Sequence, residues 1–208
     1  MGFDAIRDAV INGDAPGVES GVQEALASGT GADDLLYNVL IPAMGEVGRR
    51  YEQGEFFVPE MLVSALAMKA GLALLRPLLA AGSSESKGVV VIGTVKGDLH
   101  DIGKNLVALM MEGAGFEVRD LGVDVDAAKF IQAVTPEVRL VALSALLTTT
   151  MPAMKATIEA LAGAGLRSQV KIMVGGAPVT QTFADEIGAD GFAPDASSAA
   201  RKAKELIA

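Results

Sequence analysis

Cysteine is absent from the 208 residues, and histidine occurs once, at position 100. The first absence removes disulfides, thiolate metal sites, iron–sulfur clusters and cysteine nucleophiles together, so any metal must be held by nitrogen or oxygen. Tryptophan is absent too, and the aromatic residues are two tyrosines and seven phenylalanines, too few for a platform on which bases stack. Basic residues are the minority, 17 Lys and Arg against 26 Asp and Glu, a formal charge of −9. Nucleic-acid affinity rests on neutralising phosphates, so no nucleic-acid partner is expected. Half the residues are apolar, yet the apolar runs are short and broken by charges such as Lys69 and Arg76, and no membrane span is expected. The N-terminus, MGFDAIRD, lacks the basic-then-apolar layout of a secretory signal, which points to the cytoplasm.

The length allows one large domain or two small ones. A change of hydrophobic period decides for two, 1–83 and 84–208. In the first part apolar residues recur at helical spacing: Phe3, Ile6, Val10; Val18, Val22, Leu26; Leu36, Val39, Leu40, Val47; Leu62, Ala65, Leu66, Leu72, Leu79. Four short amphipathic helices fit. Asp14 with Pro16, and Asp33, supply start signals, and Gly13, Gly29 and Gly54 suit the breaks. They imply an antiparallel four-helix bundle. The polar segment AAGSSESKG (80–88) reads as a flexible linker.

Beyond it, apolar strands are predicted at 89–93, 117–121, 140–144, 171–174 and, weakly, 190–193. Helical segments are predicted at 103–114, 126–134, 151–162, 179–187 and 196–206. Alternating strands and helices mean an α/β domain with a five-stranded parallel doubly wound sheet, flavodoxin-like or Rossmann-like, whose ligand lies beyond the carboxyl ends of the strands. Three loops should meet there: GTVKGDLHDIG (93–103), ALLTTTMP after Ser144, and Gly175-Gly176-Ala177. Imidazole, hydroxyls and bare glycines converge on one rim. Taken singly, each has a plainer account: a hydrogen-bonded structural histidine, a helix start capped by Thr150, a simple turn. The glycine spacing is neither G-x-G-x-x-G nor a P-loop, since Lys104 is followed by Asn105.

Taken together, Asp98-Leu99-His100-Asp101-Ile102-Gly103, Ser144-Ala145-Leu146 and Gly175-Gly176 give D-x-H-x-x-G … S-x-L … G-G. This resembles the signature of base-off, histidine-on cobalamin-binding domains. The stretch IPAMGEVGRRYEQGEFFVPEMLVSALAMK (41–69) is similar to the helical cap preceding that domain in cobalamin-dependent methionine synthase and in the corrinoid proteins of methylamine, methanol and methoxy-aromatic methyltransferase systems. The resemblance implies that His100 replaces the corrinoid's lower base on cobalt. Imidazole suits such a metal, and a ligating histidine normally donates its other N–H to a carboxylate, for which Asp98 is the candidate. Thr150 would end this relay, standing where methionine synthase has serine.

By the same resemblance the displaced nucleotide tail lies in a slot formed by Ser144, Leu146, Thr148, Gly175, Gly176 and Ala196. Gly97 and Gly103 keep the turn low beneath the corrin, while Asp101 and Asn105 hydrogen-bond its polar side chains or are merely solvated helix-start residues. Tyr51, Val58 and Met61 align with cap residues shielding the methyl group, with bundle core as the alternative for Met61. The implied cofactor is cobalamin, methylcobalamin when loaded. The implied partners are a donor-specific methyltransferase, an acceptor methyltransferase and a corrinoid reductive activase. With no substrate barrel, folate module or reactivation domain in the sequence, a methyl shuttle is expected. A mutase subunit would use the same sheet without a shielding bundle, and a cobalamin photosensor would carry a DNA-binding head. A response-regulator receiver would need Asp where Ser144 stands.

Overall fold

In the computed structural model, residues 2–81 and 88–208 are described, the side chains of residues 76 and 79–81 excepted. The expected boundary at 83/84, residues 82–87 of the linker and the side chain of Leu79 lie outside the described residues; residues 80 and 81, expected in the linker, instead end the last helix of the first unit. The chain divides into two compact units, Met1–Glu85 with Glu112–Gly115, and Ser86–Met111 with Phe116–Ala208.

The first unit holds α1 (Phe3–Ile11), α2 (Ala15–Ala27), α3 (Ala32–Leu35), α4 (Ile41–Glu52) and α5 (Val58–Ala81). Asp14 starts α2 by accepting the Gly17 N–H at 3.0 Å, with proline in the first turn. Asp33 does not cap α3; Gly31 stands at the cap, and Asp33 and Asp34 occupy the first turn, where the helix dipole favours them. Between α3 and α4 the chain widens into a π-helical turn, Leu36–Leu40. The physical reason is Pro42, which has no N–H for the carbonyl four residues back, on Asn38. The Arg7 guanidinium donates to that carbonyl at 2.6 Å. Leu36, Val39, Leu40 and Val47 are all buried, as their spacing implied.

Helix α5 departs from expectation twice. Its window Val58–Leu75 is long and apolar enough, by length and composition, to cross a membrane, so the reading that no run is long enough does not hold; 44% of it is buried inside the protein. It packs as a bundle helix against α2 and α4. Second, Leu62 and Leu66, expected on the core face, are exposed, while Met61, Ala65, Met68, Leu72 and Leu75 are buried. Where a helix is apolar nearly all round, periodicity cannot choose its inner face.

The second unit follows the order β1 (Val89–Thr94), α6 (Ile102–Gly113), β2 (Glu117–Asp120), α7 (Ala127–Ala133), β3 (Val138–Ser144), α8 (Pro152–Gly163), β4 (Lys171–Gly175), α9 (Gln181–Glu186), β5 (Gly191–Ala193) and α10 (Ala196–Ile207). The five strands are parallel in the order β2-β1-β3-β4-β5. Every β1 residue is buried, which is what a sheet covered on both faces demands. Phe130, Met154, Ile158 and Ala184, from α7, α8 and α9, share one core with Val91, Val141 and Ile172, and α10 packs against β3, β4 and β5. The strand order reverses between β1 and β3, the position where such sheets open a crevice at their carboxyl ends. Register aligns Thr94 with Ser144, Ser144 with Gly175 and Gly175 with Ala193, so the loops after β1, β3, β4 and β5 leave the sheet side by side.

Candidate functional site

The loop from β1 to α6 carries the single histidine. Gly97 turns it with φ +83°, a conformation glycine adopts without strain. From below, the buried Thr94 hydroxyl donates to the His100 carbonyl at 2.9 Å. Asp101 begins α6: its carbonyl accepts the Asn105 N–H at 2.8 Å, and its carboxylate accepts from Asn105 Nδ2 at 3.2 Å. The Asn105 oxygen accepts from Lys104 Nζ at 2.7 Å, so both polar ends of Asn105 are engaged within the protein.

Asp98 is fully buried and is the hub of the loop. Its Oδ1 accepts the His100 backbone N–H at 3.1 Å and meets the ring Nδ1 at 2.7 Å. Its Oδ2 accepts the N–H groups of Leu146 and Leu147 at 2.8 and 3.2 Å and faces the Thr150 hydroxyl at 2.7 Å. That hydroxyl also lies 2.8 Å from the Leu147 carbonyl, and its one proton serves one acceptor at a time. Thr150 is therefore no helix cap. Burial would raise the Asp98 pKa; the bonds from Thr150, the Leu146 N–H and His100 outweigh it and hold the carboxyl well below the usual carboxylate range. An ionised carboxylate only accepts, so Nδ1 carries a proton and donates it to Asp98, while Nε2 is left without a protein partner among the described residues. No described residue hydrogen-bonds Nε2, and the His100 side chain is half exposed.

The surface beside the ring is bare and apolar. Leu99 and Ile102 are 71% and 78% exposed, and Leu146 and Leu147 each 42%. At Gly176, φ is +133° and an added Cβ would stand 1.8 Å from the Ala145 carbonyl oxygen, so the β4 loop lies flat on the β3 loop only because that side chain is missing. Nothing lies within 4 Å of a Cβ built on Gly103. A ring nitrogen without a protein partner, amid exposed apolar residues and stripped backbone, fits a flat macrocycle with a metal at its centre.

Comparison with known proteins agrees. A B12 binding domain family matches residues 88–202, and a second family of that description matches residues 3–76. A dimethylamine corrinoid protein of Methanosarcina mazei is 52% identical over 79% of this chain and 100% of its own length. The chain belongs to the B12-binding corrinoid proteins. A corrinoid protein of Desulfitobacterium hafniense is 41% identical over 99% of this chain and 97% of its own. Among solved structures, the methanol:cobalamin methyltransferase complex of Methanosarcina barkeri matches with a TM-score of 0.86 at 33% identity, over 99% of this chain and 79% of that one. A cobalamin-binding protein of Desulfitobacterium hafniense matches with a TM-score of 0.82 at 30% identity over the whole of both chains.

On this corrinoid protein the remaining expected residues fall as follows. Ser144, half-buried, ends β3, and its carbonyl accepts the Val95 N–H at 3.0 Å. Thr148 is exposed in the β3–α8 loop. Ala196 is buried at the first turn of α10, capped by Asp195, whose carboxylate accepts the Ser198 N–H. Tyr51 is half-buried, Val58 exposed and Met61 buried, all three in the helical unit. The motif pattern did not reach Thr94, Leu147 or the buried Lys104, whose ammonium pairs with Asp120. A lysine directly after the motif glycine, in an apolar helix, was the one signal for the last.

Proposed function

We propose that this corrinoid protein binds cobalamin base-off with His100 on cobalt and carries a methyl group between two methyltransferases. The observation that carries the reading is the 2.7 Å contact of Asp98 Oδ1 with His100 Nδ1, in a loop where Nε2 is left free. Bound there, the cofactor supplies a cobalt centre able to accept and release a methyl group. The Asp98 carboxylate fixes the tautomer and raises the basicity of the ligating nitrogen. Leu146, Leu147 and Thr150 hold that carboxylate in place. Were cobalamin bound, His100 Nε2 would be the atom that holds the metal, with Asp98 holding the ring through Nδ1.

The nucleotide tail is assigned to the rim of Ser144, Leu146, Thr148, Gly175, Gly176 and Ala196, where small residues and hydroxyls leave room for it. The helical unit, through Tyr51, Val58 and Met61, is assigned to shielding the methyl group. Relatives at 44–52% identity are named dimethylamine corrinoid proteins, which favours a methylamine-type donor enzyme. The acceptor methyltransferase and a reductive activase complete the cycle.

The experiment is reconstitution with hydroxocobalamin. Wild-type protein should take up the corrinoid and, once reduced to cobalt(II), show imidazole nitrogen splitting in its paramagnetic resonance spectrum. His100→Ala should bind with that splitting absent. Retention of the native benzimidazole on cobalt in the wild type would overturn the reading. Methylation by a dimethylamine methyltransferase, and not by a methanol methyltransferase, is the expected outcome for the donor.

A further inference from the structure

The loop between β2 and α7 contains Asp124, the only non-glycine residue with positive φ among those described, at +50°. Such a conformation persists only where the surroundings over-determine it. Here the surroundings are the histidine loop. The Asp124 N–H donates to the Asp98 carbonyl at 2.9 Å, and its Oδ1 accepts the Gly97 N–H at 2.8 Å. Lys96 Nζ lies 3.2 Å from Oδ1 and 3.3 Å from Oδ2. The neighbouring residues continue the zipper. The Thr94 N–H donates to the Gly122 carbonyl at 3.0 Å, the Val125 N–H donates to the Thr94 carbonyl at 2.9 Å, and Val95 bridges Val125 in parallel.

We infer that Asp124 is a positioning residue: it clasps the peptide units of Gly97 and Asp98 and thereby aims the Asp98 carboxylate at His100 Nδ1. The side chain of Asp98 alone does not fix this aim. Its Oδ2 is anchored to the β3 loop by three donors, and rotation about that anchor would carry Oδ1 off the ring if the backbone were free. The Asp98 N–H is tied to the Val95 carbonyl at 3.1 Å, and Asp124 removes the remaining freedom by holding the Gly97 N–H and the Asp98 carbonyl. The Gly97 N–H first, and then Lys96, hold its carboxyl below the usual range, so it is an acceptor at neutral pH. Asn would supply the same acceptor and also tolerates positive φ; Gly would relieve the strain with no acceptor.

The inference rests on the reading of His100 as the metal ligand, but its test does not need the cofactor. One histidine gives one imidazole spin system in the 15N-labelled full-length apoprotein, and its nitrogen shifts report the Nδ1–H to Nε2–H ratio. Asp124→Ala should raise the Nε2–H share roughly fivefold, the loss of one hydrogen bond's worth of bias. Asp124→Asn should restore the wild-type ratio, and Asp124→Gly should behave as Ala does. An unchanged ratio in Asp124→Ala, or full restoration by Gly, overturns the inference; should Ala fail to fold, the Asn and Gly pair decides. In the corrinoid-loaded cobalt(II) protein, Asp124→Ala should also broaden or lose the imidazole nitrogen splitting that Asp124→Asn keeps. A wild-type chain that takes up no corrinoid would end the proposed function and leave the apoprotein comparison to judge Asp124.

Discussion

Replacing Asp98 with Asn keeps the side-chain shape and removes an oxygen from a site where five donors converge. An amide has one acceptor oxygen and one NH2 group. If the oxygen serves Leu146, Leu147 and Thr150, the NH2 faces the His100 backbone N–H and Nδ1. The ring can answer only by accepting at Nδ1 and carrying its proton on Nε2, the atom a metal needs unprotonated. Bonds to a charged acceptor contribute about 1.5–3 kcal/mol and neutral ones about 0.5–1.5, and a buried donor left opposed costs about 1–3. Relief of carboxylate burial offsets part of the loss, leaving a net destabilisation of about 2–4 kcal/mol.

Both tyrosines, Tyr37 and Tyr51, lie in the helical unit and tryptophan is absent, so native-state amide exchange is the suitable assay. The slowest amides of β3 should exchange roughly 30- to 700-fold faster in Asp98→Asn, the factor corresponding to that loss. The ring 15N shifts should move to the Nε2–H tautomer. Because the folded Asp98 carboxyl is depressed, its contribution is complete above about pH 4 and drains as pH falls through the lower folded value. The gap between wild type and variant should therefore narrow below pH 4. Exchange within about threefold of wild type, together with an unmoved tautomer, would refute the reasoning.

Gly176→Ala would bring its Cβ to 1.8 Å from the Ala145 carbonyl oxygen, against an ordinary contact of 3.4–4 Å, so the two loops must part by roughly 1.6 Å. A loss of about 3 kcal/mol and impaired corrinoid uptake are expected; a wild-type melting temperature would contradict the close approach. Lys104 and Asp120 should respond unequally, since the lysine side chain is 2% exposed and the aspartate 39%. Asp120→Ala leaves a buried ammonium with the Asn105 oxygen but no counter-charge and should cost about 3 kcal/mol, whereas Lys104→Met leaves a carboxylate that water can reach and should cost about 1. Equal losses in urea unfolding would show that burial does not govern the pair.

The α/β alternation was legible because each strand of a doubly covered sheet is a short apolar run punctuated by glycine and polar loops. The four-helix reading survived as four rods, α3, the π-helical turn and α4 running on as one, but erred on α5, whose uniform apolarity hides which side faces inward. The Asp98–His100 contact and the close approach at the glycine pair could be read because each demands a particular residue type: an imidazole at 100 facing a carboxylate at 98, and absent side chains at 175 and 176. The braces could not. Leu147 acts through its backbone N–H, which leaves no trace in residue identity, and the Thr94 hydroxyl and Asp124 carboxylate serve backbone groups of the histidine loop that no spacing pattern links to them.

The sequence by itself determined which atoms can do chemistry here: one imidazole, no thiol, a carboxylate two positions before it. The tertiary structure alone decided their state. Parallel register sets the ends of β1, β3 and β4 side by side, which buries Asp98 among donors from two loops. A carboxylate so surrounded stays ionised and acceptor-only, and that fixes the proton of His100 on Nδ1 and leaves Nε2 open.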